Sequence, residues 1–251
     1  MFQRWISILG FATLLGALAM PPVSVAQTST PPDRPAIEQI IHDYLIAHPE
    51  VLLEALKAGD AKAKAQEEAE QRAQIVQHQS ELLHDAKSPV GGNPAGDVTI
   101  VEFFDYRCPY CKQVEPALEA LIKEDPRIRI VYKEFPILGP ESLVASQVSL
   151  AALKQSSKKY MSLHAALMGI KGELSTDTIL KTAESVGLDV AKIKADMTGR
   201  DIDALIKRNY DLADTLKITG TPAFIIGTAM SPGAVDLATF RKMVADARKQ
   251  D

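Results

Sequence analysis

Two cysteines separated by two residues are the side chains of this 251-residue chain whose type and spacing could do chemistry, and they are its only cysteines. They enclose the tetrad Cys108-Pro109-Tyr110-Cys111. The tetrad follows an apolar, β-branched segment at 98–104 and precedes a segment with helical spacing. Cys108 is therefore expected at or next to the N-cap of a helix, where unpaired N–H groups and the helix dipole favour a thiolate.

This arrangement suits thiol–disulfide exchange. A thiolate at Cys108 can attack a disulfide, and Cys111, about 5–6 Å away on the same helix face, can resolve the mixed disulfide that forms. Pro109 fits the first helical position because its missing N–H would be unpaired there anyway. We predict that Cys108 and Cys111 are catalytic and that their reversible disulfide, with no bound cofactor, is the redox group.

Two other interpretations of the cysteine pair are a structural disulfide and half of a metal site. A bridge over two intervening residues would constrain the unfolded chain very little. Tetrahedral zinc needs further ligands at motif spacing, and four of the five histidines lie far upstream, at 42, 48, 78 and 84. We predict no metal ligands, although two sulfurs can hold a soft ion such as Cu(I), so a copper-binding protein or a chaperone is the alternative from another class.

The first 26 residues have the pattern of a secretory signal peptide: Arg4, an apolar run from Trp5 to Met20, and a small-x-small site ending at Ala26. The alternative is a membrane anchor, for which the run is short. Export predicts a periplasmic location, an oxidising setting that favours a working cysteine pair. Removing residues 1–26 takes away one positive charge and changes the net charge from −4 to −5, which argues against nucleic acid as a partner.

A polar, proline-rich linker is predicted at 27–35 and an N-terminal helical extension at 36–87. Apolar residues from Ile37 to Leu45 repeat at helical spacing, and Pro49 starts a second helix. Such a thin stripe needs another surface to be stable. That surface is either the catalytic domain or the same segment of another subunit, and we predict a homo-oligomer formed through residues 36–86.

A turn-rich linker is predicted at 88–97 and a catalytic domain at 98–251. Its strand 98–104, the redox helix and a strand at 128–135 form a parallel βαβ unit, so the fold class is α/β. A large helical insertion occupies about 141–216, and we expect its His164 to be packed rather than catalytic. The chain returns to the sheet at 219–227, where Pro222 precedes an apolar strand as either a cis proline or a trans proline on an edge.

Residues 96–249 resemble the DsbA-like branch of the thioredoxin superfamily, through Val101-Glu102-Phe103-Phe104-Asp105, the cysteine tetrad and Gly220-Thr221-Pro222. The resemblance implies a thioredoxin fold with a helical insertion and a thiol–disulfide oxidoreductase that acts on cysteine-containing exported proteins and meets a membrane redox partner. The segment Ile37–Leu56 resembles the helical extension of copper-sensitivity suppressor C proteins, some of which assemble into isomerases. An oligomer would favour isomerase or reductase activity, and a monomer would favour a dithiol oxidase.

The resemblance also assigns roles to further residues. It implies that Pro222 is cis and packs against the disulfide, and that Thr221 pairs with an extended substrate chain, with Pro109 and Tyr110 also in the substrate site. Glu102 is implied to be the acid that takes the proton of Cys111, with Lys133 as its partner. Strand parity with Ile100 and Phe104 favours a buried Glu102, the alternative being a surface glutamate. The DsbA pattern has histidine where this chain has Tyr110, which predicts a weaker oxidant.

Overall fold

The computed structural model describes residues 33–249, so the predicted signal peptide at 1–26 lies outside the described residues. The chain divides into two compact units, the first ending at Ala58 and the second beginning at Gly59. Helix α1 spans Arg34–Ala47 and helix α2 spans Pro49–Gln77. α1 begins two residues before the predicted boundary because the Asp33 side chain accepts a hydrogen bond from the backbone N–H of Ala36, at 3.1 Å.

The apolar stripe of α1 is exposed. No residue of α1 is buried, and Ile40 and Ile46 are 62% and 72% exposed. Leu52, Leu53 and Leu56, at the start of α2, are also more than half exposed. Across residues 33–249, no helix is long and apolar enough to cross a bilayer.

The second unit is built on a five-stranded mixed sheet, which confirms the predicted α/β class. Strands β2 and β3 are parallel and are joined by helix α4, as the βαβ prediction requires, and the other pairs of neighbours are antiparallel. The spatial order is β1-β3-β2-β4-β5. The strands are β1 (Val90–Gly92), β2 (Val98–Phe104), β3 (Ile128–Glu134), β4 (Ala223–Ile226) and β5 (Ala229–Pro232).

Strand β1 lies within the segment predicted as a linker at 88–97. Its glycines allow close approach to the sheet: a Cβ at Gly91 would lie 2.9 Å from the ring of Tyr132, and one at Gly92 would lie 2.5 Å from the carbonyl of Ile128. Gly92 also has a φ of +65°, which side chains disfavour. The glycines that suggested a turn therefore mark a strand packed tightly against β3.

Helices fill the rest of the second unit. Five of them, α5 to α9, come between β3 and β4, where the helical insertion was expected. Strand β5 was not predicted; it pairs with β4 through a two-residue turn in which Gly227 has a φ of +60°. The helices of this unit after α2 are α3 (Gln79–Leu83), α4 (Pro109–Glu124), α5 (Pro140–Gln155), α6 (Ser157–Met168), α7 (Thr176–Ser185), α8 (Val190–Asp196), α9 (Arg200–Thr215) and α10 (Leu237–Ala247).

Side chains of β2 alternate between two buried cores, one on each face of the sheet. Ile100 and Phe104 belong to the core that contains α4, α5, α6 and α10. Val101 and Phe103 belong to the core on the opposite face, with Leu82 of α3 and Leu212 of α9. Each side chain of β2 therefore points either toward the cysteine helix or away from it.

Candidate active site

Cys108 is the N-cap residue of α4, and Pro109 is its first helical residue. The turn before it is held by Asp105, whose backbone carbonyl accepts a hydrogen bond from the N–H of Cys108 at 3.0 Å. The buried Asp105 carboxylate accepts two further backbone hydrogen bonds, from Arg107 at 2.7 Å and from Leu138 at 3.0 Å. Asp105 therefore fixes the cysteine turn against the loop between β3 and α5.

The loop before β4 lies against Cys108. The Cys108 residue is 3% exposed, and its thiol donates a hydrogen bond to the backbone carbonyl of Thr221 at 3.1 Å. The Thr221–Pro222 peptide bond is cis, as the resemblance implied. Residues separated by 113 positions in the sequence are thus brought into one site.

The pKa values of the two thiols are shifted in opposite directions. A hydrogen bond from the Cys111 thiol lowers the pKa of Cys108 to about 5, helped by the Thr221 side chain and by the backbone N–H groups of Cys111 and Tyr110, and opposed by burial. Burial, the hydrogen bond to Cys108 and the nearby charge of Glu102 raise the pKa of the Cys111 thiol. At neutral pH, Cys108 is therefore a thiolate while Cys111 keeps its proton.

Such a pair can form and release mixed disulfides. The Cys108 thiolate is the nucleophile, and it is also a good leaving group because its pKa is low. The fully buried Cys111 can attack only a sulfur already bonded to Cys108. Neither cysteine is in a disulfide in this structure.

Glu102 is fully buried on the sheet face that carries α4, as its strand parity indicated. Burial raises its pKa well above the ordinary value, and the negative charges of Glu115, Glu134 and Cys108 raise it further. Neither of its carboxylate oxygens has a hydrogen-bond partner among the residues described. An acid that burial makes harder to ionise is therefore held on the sheet face that carries the cysteine helix.

The structure contradicts the prediction that Lys133 is the partner of Glu102. In the parallel register, Glu102 lies opposite Tyr132, and Lys133 lies opposite Phe103, which belongs to the other core. Lys133 donates instead to the Glu81 carbonyl at 2.7 Å and to Ser88 Oγ at 2.9 Å. The two side chains lie on opposite faces because successive residues of a strand alternate in direction.

Sequence reasoning missed several polar residues on the Glu102 face of the sheet. Glu115 follows Cys111 by four residues on α4, and that spacing places it on the face of Cys111. His164 was expected to be packed, and it is buried against the rings of Phe104 and Tyr132. Its links to Tyr106 and Glu115 had no signal in the sequence.

Two cavities are lined by residues next to the cysteines in the fold or in the sequence. One of about 170 Å³ is lined by the cis-proline loop and the β4–β5 hairpin, including Thr221, Pro222 and Met230. Another of about 230 Å³ is lined by charged side chains, among them Arg107, Lys112 and Glu141. Tyr110, between the cysteines, is 60% exposed. The Tyr110 ring is therefore at the surface between the two cysteines.

Between residues 33 and 249, no group of three or more histidine, cysteine, aspartate or glutamate side chains is arranged to hold a metal ion. The sulfurs of Cys108 and Cys111 are the pair of soft ligands on which the copper-binding alternative depends.

The sequence of residues 99–245 matches the family described as DSBA-like thioredoxin domain. The chain belongs to the DsbA-like thioredoxin family. Residues 33–66 of this DsbA-like protein also match the Copper resistance protein ScsC N-terminal domain. The two matches agree with the resemblance drawn from the cysteine tetrad, the Thr221-Pro222 pair and the N-terminal helices.

Solved structures agree with the family assignment. A thioredoxin-like oxidoreductase from Silicibacter pomeroyi DSS-3 is 42% identical, with a TM-score of 0.66 over 68% of this chain and 97% of that chain. Proteus mirabilis ScsC in a transitional conformation is 30% identical, with a TM-score of 0.66 over 86% of this chain and 97% of that chain. The thioredoxin-like fold with a helical insertion and an N-terminal helical region is therefore shared with known structures.

Curated relatives differ in length from this chain. The Na(+)/H(+) antiporter NhaA 1 of Salinispora arenicola is 30% identical over 160 residues, which are 63% of this chain but 24% of that protein. The thiol:disulfide interchange protein DsbA of Bordetella parapertussis is 29% identical over 145 residues, 55% of this chain and 68% of that protein. The chain thus spans about a quarter of the antiporter and about two thirds of the interchange protein.

Proposed function

We propose that this DsbA-like protein is an exported thiol–disulfide oxidoreductase that exchanges disulfides with cysteine-containing proteins through the Cys108-Pro109-Tyr110-Cys111 tetrad. The observation that carries the proposal is the opposite acidity of two adjacent thiols, with the pKa of Cys108 lowered to about 5 and that of Cys111 raised. A structural disulfide would need no such asymmetry. The similarity to the interchange protein DsbA supports the same chemistry.

In the proposed reaction, the Cys108 thiolate attacks one sulfur of a substrate disulfide, and the other substrate sulfur leaves as a thiolate. Cys111 then loses its proton and attacks the Cys108 sulfur, which releases the second substrate sulfur as a thiolate. The substrate gains two electrons and the cysteine pair loses two. The reverse sequence oxidises a substrate dithiol.

Thr221 and Pro222 are proposed to hold the substrate chain beside Cys108. The Thr221 carbonyl already contacts the Cys108 sulfur, and the cis-proline loop lines a cavity of about 170 Å³. An extended substrate segment could pair with the backbone at Thr221 while Pro109 and exposed Tyr110 contact its side chains. Glu102 is proposed to receive the proton of Cys111, because it lies buried on the α4 face of the sheet and its charge affects the acidity of Cys111.

Assembly through residues 36–86 is proposed to decide between isomerase and oxidase activity. The exposed apolar residues of α1 and early α2 support an interface, and so does the match of residues 33–66 to the ScsC N-terminal domain. Several active sites held in one oligomer could hold a misfolded substrate and shuffle its disulfides. A monomer would instead donate disulfides one at a time.

Paired ribonuclease assays test the exchange reaction. The wild-type protein is expected to reactivate scrambled ribonuclease if it is an isomerase, and to oxidise reduced ribonuclease if it is an oxidase. The Cys111→Ser variant should trap mixed disulfides through Cys108, and the Cys108→Ser variant is the matched control that should trap none. Absence of activity in both assays, together with one soft metal ion bound per chain, would replace the proposal by a metal carrier.

Export is proposed from residues 1–26, and a membrane redox partner is proposed to set the state of the cysteine pair. Mass spectrometry of the protein isolated from cells should find an N-terminus at Gln27. Thiol trapping in the same cells should find a reduced pair for an isomerase or reductase and a disulfide for an oxidase. An uncleaved N-terminus on a protein retained inside the cell would reject the export proposal.

A further inference from the structure

The residues from Asp105 to Cys108 form a β-turn between β2 and α4. The N–H of Cys108 donates to the carbonyl of Asp105 at 3.0 Å, which closes the turn across Tyr106 and Arg107. We call residues 105–108 the cysteine turn. Because its last residue is the N-cap of α4, the position of this turn decides where the Cys108 sulfur lies.

Two side chains of the cysteine turn are bound to the loop between β3 and α5. Asp105 accepts a hydrogen bond from the N–H of Leu138 at 3.0 Å. Arg107 donates to the Leu138 carbonyl at 2.6 Å and to Glu141 Oε2 at 3.0 Å. The Arg107 and Glu141 side chains are 39% and 40% exposed, so water competes with their ion pair.

The third side chain, that of Tyr106, is fully buried. Its hydroxyl donates to Glu134 Oε1 at 3.2 Å and lies 3.2 Å from His164 Nδ1. Its ring packs edge-on against the ring of Phe104. Tyr106 is therefore the attachment of the cysteine turn that is closed to water.

Glu134, the last residue of β3, is a point where several elements meet. Its Oε1 also accepts a hydrogen bond from Tyr160 of α6 at 2.9 Å, and its Oε2 accepts one from Ser146 of α5 at 2.7 Å. Its backbone carbonyl accepts one from the Asn209 side chain of α9 at 3.0 Å. Three helices of the insertion and the cysteine turn are thus bound to one fully buried residue.

A carboxyl group is costly to bury, and an apolar side chain would fill the same space at lower cost. Burial raises the pKa of Glu134 to about 8, against the effect of the hydroxyl groups of Ser146, Tyr160 and Tyr106, which stabilise the ionised form. An apolar side chain would lack these hydrogen bonds. They connect the helical insertion to the cysteine turn.

This connection is available in both protonation states of Glu134. An ionised Glu134 accepts the hydrogen bond of the Tyr106 hydroxyl. A protonated Glu134 can donate to the Tyr106 oxygen instead, because the Tyr106 hydroxyl then has His164 Nδ1 as its acceptor. The cysteine turn therefore stays attached whether or not Glu134 carries a proton.

We propose that Glu134 is a positioning residue for Cys108, and that it acts by holding Tyr106, and with it the cysteine turn, against the helical insertion. This role rests on the proposed function, since the sulfur that it positions is the one that the exchange reaction uses. Glu134 and Tyr106 act through the backbone of the turn and not on the sulfur itself.

The position of the turn matters because the Cys108 thiolate depends on directed hydrogen bonds. They come from the Cys111 thiol, from the Thr221 side chain and from two backbone N–H groups of α4. Such bonds weaken steeply when donor and acceptor move apart or out of line. Since Thr221 belongs to the loop before β4, a displaced turn moves the sulfur away from that loop. The pKa of Cys108 would then rise toward its ordinary value.

Four variants separate positioning from stability. Tyr106→Phe removes the hydroxyl and keeps the ring, and Glu134→Leu removes both carboxylate oxygens. Glu134→Gln is the conservative variant, because its amide oxygen can accept from Tyr106 and Tyr160 while its NH₂ group donates to Ser146. The matched control is Tyr160→Phe, which loses a bond to the same Glu134 oxygen from a helix outside the cysteine turn.

Three measurements are made on the full mature chain and its variants. Alkylation of the reduced protein by iodoacetamide across a pH series gives the midpoint for Cys108. Reaction with glutathione, quenched in acid and followed by mass, gives the formation of the mixed disulfide on Cys108, its resolution by Cys111 and the final share of the disulfide form. Unfolding in denaturant gives the stability of each variant.

Tyr106→Phe and Glu134→Leu should raise the alkylation midpoint by about one pH unit, which is about tenfold less thiolate below the midpoint. The equilibrium with glutathione should move by up to about tenfold toward the disulfide form, because the reduced form loses the same stabilisation. Combining the two changes should add little to the larger single effect, since both remove one contact. Glu134→Gln and Tyr160→Phe should keep the wild-type midpoint, although Tyr160→Phe should unfold at lower denaturant concentration.

Unchanged midpoints in both Tyr106→Phe and Glu134→Leu would overturn the positioning role and leave the proposed function standing. So would a midpoint raised equally by Tyr160→Phe, which would indicate a general loss of packing, or equally by Glu134→Gln, which would indicate an effect of charge. If Glu134→Leu does not fold, the comparison of Tyr106→Phe with Tyr160→Phe decides alone. Failure of the wild type to form the mixed disulfide would instead overturn the proposed function.

Discussion

Glu102 of β2 lies opposite Tyr132 of β3, not opposite a lysine, and no cation among the described residues offsets its burial. The effect is mutual, because burial raises the pKa of Tyr132 and the charge of Glu102 raises it further. Ionisation of an acid in this setting costs free energy, which is why its pKa is raised. Lys133, which was expected beside Glu102, lies on the opposite face of the sheet. The acid of the cysteine site therefore has no positively charged partner among the described residues.

The acidity of Cys108 can be measured directly. Alkylation of the reduced protein by iodoacetamide should increase with pH around a midpoint of about 5, because the thiolate is the reactive form. Cys111 should stay unmodified at neutral pH, since its thiol is buried and keeps its proton. In denaturant both thiols should titrate near the ordinary value of about 8.5, which serves as the control. A midpoint near that ordinary value in the folded protein would contradict the structure.

The low pKa of Cys108 also makes stability depend on redox state. The folded-state pKa is depressed from 9.0 to about 5, so the stabilisation of the reduced form is complete above pH 9 and is lost as pH falls through 5. Between pH 5 and 7 the reduced form should gain at most about 2–3 kcal/mol relative to the disulfide form, less the effect of solvent screening at the mouth of the site. Denaturant unfolding of both forms across this range measures the difference. A difference in unfolding free energy between the two forms that does not change with pH would contradict the prediction.

Glu102→Gln should make the protein more stable at neutral and alkaline pH. The folded-state pKa of Glu102 is raised, so its favourable contribution is complete below the ordinary value of 4.5 and is lost as pH rises through the folded value. Glutamine is neutral throughout and does not suffer this loss. Unfolding curves should coincide near pH 4 and separate as pH rises, while resolution by Cys111 slows. Equal unfolding free energies of the wild type and Glu102→Gln at pH 9 would contradict the prediction and indicate that the Glu102 carboxylate is solvated.

Lys133→Met should weaken the fold and leave the cysteine chemistry intact. The change removes hydrogen bonds to the Glu81 carbonyl and to Ser88, which should cost about 1–3 kcal/mol of unfolding free energy. Because Lys133 lies on the other face of the sheet, the alkylation midpoint of Cys108 and the resolution rate should stay at their wild-type values. Glu102→Gln is compared in the same assay. A shifted alkylation midpoint of Cys108 in Lys133→Met would contradict this prediction and indicate that Lys133 interacts with Glu102.

Sequence patterns were sufficient to predict those features of the site that depend on residues close together in the chain. The N-cap position of Cys108 followed from a strand, a proline and helical spacing, and the burial of Glu102 followed from alternation along β2. Both depend on neighbours within a few residues. The predicted parallel βαβ unit follows from the same patterns and the usual connection rule.

Contacts between distant elements could not be obtained in the same way. The register between β2 and β3 is set by packing, so nothing local reveals that Tyr132 rather than Lys133 faces Glu102. Gly91 and Gly92 suggested a turn, but they allow a close strand whose partner is about 40 residues away. His164 could be predicted as packed, whereas its neighbour Glu115 became visible only when α4 and α6 were placed together.

The exposed stripe of α1 gives a test of assembly that is separate from catalysis. Ile40 and Tyr44 lie one helical turn apart and are 62% and 52% exposed, so Ile40→Glu with Tyr44→Glu should prevent association by placing charge in the proposed interface. Burying one such apolar side chain stabilises an interface by about 1.5–3 kcal/mol, so two changes should dissociate the oligomer at micromolar concentration.

Light scattering over a range of concentrations measures the mass of the mature wild type and of this double variant. The wild type should exceed the mass of one chain and the variant should equal it. The control Ala165→Glu with Ala191→Glu, at exposed positions outside residues 36–86, should behave as the wild type. If assembly decides the activity, the variant should lose reactivation of scrambled ribonuclease and keep oxidation of reduced ribonuclease. A wild type that stays monomeric at every concentration would reject the oligomer, and the apolar stripe would then need another partner.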